Sequence, residues 1–285
     1  MSFDTRNNAS DSSATTAMDL TVVSFNIRLA TLNDGPHYWP LRRQVFFDVT
    51  RKLSPDLLGL QEVTSPQLDD LTAAFPDYDV VSTGRDDGQR NGEACSIFFR
   101  KSRFGLRDSG TFWLSETPEV IASKSWDAGL TRICTWAKLQ DRAAGREILF
   151  LNAHLDYAGD MARTHSGALI ARRVAAMRQG EAVILTGDFN TNEGSQTYQA
   201  LTHPTEPAAI ALIDAYRTVH PIRRADEASF NGFQGTVDGS RIDWILHSPD
   251  LIARNAMIDR SKGENGLFPS DHCAVTATLH YADRR

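Results

Sequence analysis

The feature that most constrains this chain is a series of short apolar runs that recurs from Leu20 to the C-terminus without a long linker. They are LTVVSFNI, DLLGLQEV, CSIFFR, ICTWAKL, EILFLNAHL, AVILTGDF, RIDWILHS and CAVTATLHY. Each is rich in β-branched or aromatic residues and bounded by turn residues, which predicts strands. Several are almost continuously apolar, so other layers must cover both of their faces. Helix patterns sit between them. Leu41, Val45, Val49 and Leu53 recur every four residues after the turn-prone Asn33-Asp34-Gly35-Pro36, and Ser54-Pro55 stops that helix. Pro66 lies near the start of a second, running through Leu68 and Leu71 toward Phe75-Pro76, and Ile170, Val174 and Met177 mark a third that ends at Gly180. Strand and helix alternate at the start and middle, whereas residues 82–139 read mostly as strand. That mixture points to stacked sheets with helices outside rather than one doubly wound sheet.

With 285 residues and 41% hydrophobic content, the chain can build a sizeable core. Residues 1–18 are polar and Ser/Thr/Asn-rich, expected to be a disordered tail, and 19–285 to form a single domain. Thirty-six acidic against 30 basic residues give a formal charge of −6, which weighs against a surface built throughout for nucleic acid. Cys95, Cys134 and Cys273 have no metal or disulfide spacing and read as reduced, buried thiols. No apolar run approaches the ~20 residues of a membrane span. Cytoplasmic residence and a monomer are the expectations.

Polar chemistry collects where the runs end. VVSFN ends at Asn26, LLGLQEV at Glu62, LFLNAHLD at His154 and Asp156, and ILTGDFN at Asp188 and Asn190. One such ending is an Asx-turn, but four ending side by side would line one crevice with amides, carboxylates and imidazole. Asp243 sits inside the apolar run RIDWILHS, a costly place for an unpaired carboxylate. Asp271 and His272 precede the last run, and a buried Asp is a natural partner for a His.

These residues carry a resemblance. FN26, QE62, H154LD, GD188FN190, D243 and SD271H272 resemble the ordered motif set of the endonuclease/exonuclease/phosphatase superfamily, from Asn26 to His272. The segments WPLRR, DSGTFWLSETPE, TRICTWAKL and HLDYAGDMAR are similar to a bacterial branch of it, some members of which carry an endo-β-mannosidase label. A glycosidase needs an acid and a nucleophile or base; the cluster here suits a metal and a phosphate instead.

The resemblance implies a four-layer α/β/β/α sandwich of two mixed β-sheets packed face to face, and Mg²⁺-dependent phosphoester hydrolysis, with Mn²⁺ as a substitute. Glu62 and Asp271 are the hard oxygen ligands expected for the metal, with Asn26 completing the set. In-line water attack then calls for a base, Asp188, with Asn190 orienting it or holding a phosphate oxygen. His154 and His272 are expected to donate to the phosphate, with Asp243 keeping His272 oriented and protonated. In members with two metals, positions matching Asp188, Asn190 and His272 hold the second; one metal or two stays open.

Arg132, in LTRICTW, and Arg28, two residues after Asn26, are candidates to bind substrate. Glu93, Asp156 and Trp39 are further substrate-binding candidates, and Trp113, Phe230 and Phe233 fall near expected loops where a ring could stack. Scattered Lys and Arg favour a small or carbohydrate-linked phosphoester; a nucleic acid cleaved by the same chemistry is the alternative.

Overall fold

The computed structural model describes residues 18–205 and 209–283. The tail expected over 1–18 lies outside the described residues except for Met18, which packs against the core. Strands β1 (Asp19–Asn26), β2 (Leu57–Val63), β3 (Tyr78–Val81), β4 (Ala94–Arg100), β5 (Phe104–Trp113), β6 (Ile133–Asp141), β7 (Arg146–His154), β8 (Ala182–Asp188), β9 (Ile213–Asp214), β10 (Asp243–His247), β11 (Leu251–Asp259) and β12 (Ala274–Tyr281) form two six-stranded sheets. Their orders are β11-β12-β1-β2-β4-β3 and β5-β6-β7-β8-β10-β9. Both are mixed, because β1 pairs β2 and β7 pairs β8 in parallel while the other neighbours are antiparallel. Helices α1 (Trp39–Leu53), α2 (Ser65–Ala74), α3 (Asp160–Met177), α4 (Gln196–Thr202) and α5 (Ala215–Val219) complete the chain.

Three apolar layers make this a sandwich. Val45, Phe46 and Val49 of α1 pack on Val23, Phe25 and Leu58 outside the first sheet. Leu20, Val22, Ile97, Phe150 and Ile184 fill the space between the sheets. Ile170 and Val174 of α3 pack on Leu149, Leu151 and Val183 outside the second. The four-layer expectation is met. Residues 82–139 are less strand-rich than expected, since residues 114–132 form a long connection between β5 and β6.

Toward the C-terminal ends of β1 and β8 the inter-sheet layer turns polar. Gln61 Nε2 donates to Asn152 Oδ1 (2.7 Å), Thr186 Oγ1 donates to the same oxygen (3.1 Å), and Asn152 Nδ2 donates to Leu60 O (2.8 Å). Pairing lowers the cost of this layer, since an unmatched buried polar group costs ~1–3 kcal/mol, although Gln61 Oε1 has no partner among the described residues. Gly59 permits it: a Cβ there would lie 2.1 Å from Thr186 Oγ1. Gly187 answers a similar demand, because its Cβ would sit 2.5 Å from Ala153 O. The Thr-Gly pair that interrupts the apolar β8 therefore joins β8 to its neighbours just before Asp188.

Candidate active site

Register brings the expected residues together. His154 and Asp188 are partners across β7 and β8, and Asp188 faces Asp243 across β8 and β10. β1 delivers Asn26 from the opposite sheet. Asp188 Oδ2 is the hub: Asn26 Nδ2 donates to it (3.0 Å), His154 Nε2 lies at 3.4 Å and His272 Nε2 at 3.7 Å. Asp188 Oδ1 accepts from Asn190 N (3.0 Å). Burial first, then the neighbouring Asp243, push the Asp188 carboxyl above the usual carboxylate range.

His272 Nδ1 is 2.9 Å from Asp243 Oδ2, so the expected pair forms. Burial alone would lower the ring's pKa, but Asp243 and then Asp188 outweigh it, and the ring is held well above its ordinary value. Ser229 Oγ accepts from Asp243 N (3.1 Å), and Asp243 Oδ1 is buried without a hydrogen-bond partner among the described residues. His154 behaves oppositely. Burial, then Arg132 and Arg85, push it well below its ordinary value. Arg132 Nη1 lies 2.9 Å from His154 Nδ1, and a guanidinium can only donate. That ring nitrogen must accept, which places the hydrogen of a neutral ring on Nε2, toward Asp188. Asn190 Nδ2, which donates to Leu155 O (3.0 Å), lies 3.0 Å from the same Nε2. His154 is therefore held neutral, in contrast to His272.

Glu62 sits where the pairing of β2 with β4 slips, and its φ of 63° is left-handed. A bulge of this kind re-aims a side chain at a sheet end. Its carboxylate accepts from Asn26 Nδ2 (2.9 Å) and Leu29 N (2.9 Å). Arg28 and Asn190 also have positive φ, 56° and 49°. Asp271 is buried, accepts from Ser270 Oγ (3.2 Å) and lies 3.7 Å from Arg28 Nε. Burial first, with the Glu62 charge among the lesser causes, raises the Asp271 carboxyl.

Glu62 and Asp271 fit a hard divalent cation, being carboxylates whose mutual repulsion a cation would relieve. Asn26 fits less directly. Its Oδ1 accepts from Arg28 N (2.9 Å) while its Nδ2 faces the two carboxylates, so it presents donors where a ligand oxygen was expected. Among the described residues, donor atoms mutually within 4.8 Å form two groups, Glu62/Glu93/His154 and Asp188/Asp243/His272.

The weaker candidates divide. Arg132 and Glu93 border His154 and Glu62 in a narrow cleft. Arg28 lies beside Asp271 but its guanidinium is held by Asp34 at 3.0 and 3.1 Å. Asp156 accepts four backbone N–H groups, from Gly129, Leu130, Ala158 and Gly159, which more than offset the effect of burial and lower its pKa. It organises the loop rather than lining the crevice. Trp39 is a correction: only 2% exposed, it packs beneath α1 against Phe46 and Phe47, and its Nε1 donates to Asp70 Oδ2 (2.8 Å). Trp113 is likewise buried, its Nε1 donating to Arg85 O (2.8 Å). Phe230, 46% exposed, meets the His272 ring edge-on at 5.1 Å and is the aromatic that reaches the site.

Several residues escaped the sequence reading. Arg85 grips Glu93 with two N–H···O contacts of 2.8 Å. Arg42, fully buried, donates to the carbonyls of Arg28, His37 and Pro269 and so ties the loops that carry Asn26 and Asp271. Its position in WPLRR, a segment already noted for its resemblance, was the available signal.

The family model described as the endonuclease/exonuclease/phosphatase family matches residues 23–272. The chain belongs to that family. A mannosyl-6-phosphatase from Bacteroides thetaiotaomicron is similar at 35% identity and TM-score 0.83, covering 92% of this chain and 100% of that one. A family protein of the same organism matches at 34% and 0.85, over 93% and 98%. Among curated relatives, the CCR4-Not complex 3'-5'-exoribonuclease subunit Ccr4 of Emericella nidulans is 23% identical over 94% of this chain. The chain spans only 39% to 53% of the length of the curated relatives it matches. No helix among the described residues is long and apolar enough to cross a membrane.

Proposed function

We propose that this chain is a divalent-metal-dependent phosphoester hydrolase acting on a small, sugar-bearing phosphomonoester. The observation that carries the chemistry is the Asp188 hub, a buried carboxylate with raised proton affinity facing the Asp243-supported His272. Asp188 takes the proton from the attacking water, with Asn190 N and Asn26 Nδ2 fixing its two oxygens. His272, protonated and held by Asp243, donates from Nε2 to the phosphate as negative charge accumulates. Neutral His154 donates through Nε2–H. Glu62 and Asp271 would hold Mg²⁺ or Mn²⁺, which when bound neutralises charge on the phosphate and the leaving oxygen.

Support for the substrate class comes from the 35% identity to a mannosyl-6-phosphatase, from the acidic balance of the chain and from one exposed ring, Phe230, beside His272. The test is a panel with Mg²⁺ or Mn²⁺: sugar monophosphates, bis-p-nitrophenyl phosphate, phospholipid head groups, and single- and double-stranded DNA and RNA. Phosphate release from the sugar monophosphates is expected to dominate. Efficient, salt-suppressed cleavage of nucleic acid with sugar phosphates untouched would leave the chemistry standing and reverse the substrate.

A further inference from the structure

Strands β7 and β8 run side by side in parallel, and the chain segments that leave their C-terminal ends diverge beyond the site. One runs from His154 into the first turns of α3, the other from Asp188 through Asn190 to α4. Two hydrogen bonds join them at the catalytic end, Leu155 N to Asp188 O (2.9 Å) and Asn190 Nδ2 to Leu155 O (3.0 Å). Past that join they separate around an open groove of about 530 Å³, with Thr164 and His165 on one wall and Thr191 and Gln196 on the other. Thr191 directly follows Asn190, and Arg163 in the groove donates from Nη1 to Asp156 O (2.8 Å), two residues past His154. The groove therefore begins next to the reacting centre.

Its lining narrows the chemistry of what it holds. Among the described residues that line it, Asp160 and Arg163 alone bear a permanent charge, and they pair with each other, while Met161 alone is apolar. Asp127, accepting from Met161 N (3.2 Å) and Ala162 N (2.7 Å), adds a negative charge beside that wall. A second phosphate or a nucleic-acid strand calls for surplus Lys or Arg, and a lipid chain for apolar walls. Neither is present. The hydroxyl, amide and imidazole groups that remain give and accept hydrogen bonds with neutral partners. They stand on a fixed frame, since Asp156 anchors the first segment through four backbone N–H groups and the His165 ring is stacked on Trp126 at 4.9 Å. The volume lies within the ~300–1,000 Å³ of small-molecule sites. A neutral, polyhydroxylated ligand matches this lining.

We propose that the groove between α3 and the segment from Thr191 to α4 is a carbohydrate subsite, which holds a sugar unit beyond the one that carries the reacting phosphate. This rests on the phosphoesterase reading and names its substrate class, a phosphorylated oligosaccharide rather than a free hexose phosphate. Contacts to the remote sugar lie away from the bond that breaks and act by orienting the phosphate against Asp188 and His272, so they raise kcat/KM for the longer substrate.

The experiment uses the full chain with Mg²⁺ and has two readouts. In the first, kcat/KM is compared between the 6-phosphates of mannose and glucose and the matching 6-phosphorylated disaccharides. The disaccharide is expected to win by about tenfold or more in at least one pair. Thr164→Trp, which fills the groove, should bring that pair within about twofold by lowering the disaccharide value alone. Gln196→Trp fills it from the opposite wall and serves if the first variant does not fold. In the second readout, unphosphorylated mannotriose and cellotriose are titrated by NMR, and one of them should shift the amides of Thr164, Thr191 and Gln196 in wild type but not in Thr164→Trp. Equal kcat/KM in both pairs, a preference that survives both tryptophan variants, or no trisaccharide binding would each overturn the proposal. Trisaccharide binding without hydrolysis of any sugar phosphate would remove the phosphoesterase reading and leave the groove its ligand, whereas hydrolysis without chain-length preference would do the reverse, so the two failures are distinguishable.

Discussion

Glu193 follows Asp188, the last residue of β8, by five positions, and Arg241 precedes Asp243, the first residue of β10, by two, yet they serve two buried charge clusters with opposite properties. Around Glu193 every carboxylate has an arginine. Arg241 pairs with Glu193 and with Asp214 (2.6 Å), Arg217 with Glu193 (2.9 Å) and Glu227 (2.5 Å), and Arg223 with Glu193 (3.0 Å). Burial would raise the Glu193 carboxyl, but Arg217 and Arg241 outweigh it and hold it below its ordinary value. Around Asp188 the carboxylates crowd one another instead, and those of Asp188 and Asp271 are raised. In the first cluster every carboxylate is paired with an arginine, which ties the loops together, although Nε and Nη1 of Arg241 are buried without a partner among the described residues. In the second, like charges are left facing one another, an arrangement that suits the proposed metal and phosphate.

The sharpest way to break this contrast is Asp188→Asn. Turnover is expected to fall about 10³-fold, within the range for a general base, while thermal stability holds or rises because a buried, crowded charge is gone. A variant that kept its turnover, or lost stability as steeply as activity, would put Asp188 in the structural class. Arg241→Met should behave in reverse, losing about 3 kcal/mol or more in denaturant unfolding because Glu193 and Asp214 are left buried and uncompensated. A loss below 1 kcal/mol would mean that the cluster is not the tie described.

Asp243→Asn is expected to cost roughly 10- to 100-fold in turnover with little change in KM, by analogy with groups that orient a ligand-bearing His. The pH profile is the finer readout. Asp243 raises both His272 and Asp188, so its removal should move both limbs of the activity bell toward lower pH. An unmoved profile would count against the pairing. The smallest effect concerns acid stability, where the clusters should have opposite signs. Glu193 is depressed in the folded state, so its contribution is present above the unfolded carboxylate pKa and is lost as pH falls through the folded value. Asp188 is raised, so its unfavourable contribution is absent below the unfolded pKa and grows as pH rises to the folded one. Acid unfolding of Glu193→Gln should therefore be shallower than wild type, whereas any stability gained by Asp188→Asn should vanish on acidification.

Much of this was legible in the sequence because strand ends are positions of both pattern and chemistry. An apolar run stopping at Asn26, Glu62, His154 or Asp188 states which residue leaves the sheet and at which end, and a carboxylate inside RIDWILHS demands a partner. What was not legible depends on contacts between distant segments. Arg85 gains meaning only when its loop folds back onto Glu93 and Arg132. Trp39 looked like a loop aromatic because its place at the first turn of α1 put it beside turn residues, yet the helix rolls it inward. β5 and β11 expose apolar residues, Leu106, Ile252 and Met257, beside polar ones, Arg107, Asp108, Arg254 and Asn255, which hides strand periodicity. The orientation of the Asn26 amide is set by Arg28 N and two carboxylates, and no one-dimensional pattern fixes it.

The central claim is that Glu62 and Asp271 hold negative charge that a divalent cation completes. The direct measurement is the melting temperature of wild type and Glu62→Gln across a Mg²⁺ or Mn²⁺ titration. Wild type should be stabilised in proportion to the logarithm of metal concentration once binding saturates, as linkage requires, and Glu62→Gln should stay flat. A wild-type curve that does not move, or a Glu62→Gln curve that climbs in parallel with it, would contradict the account.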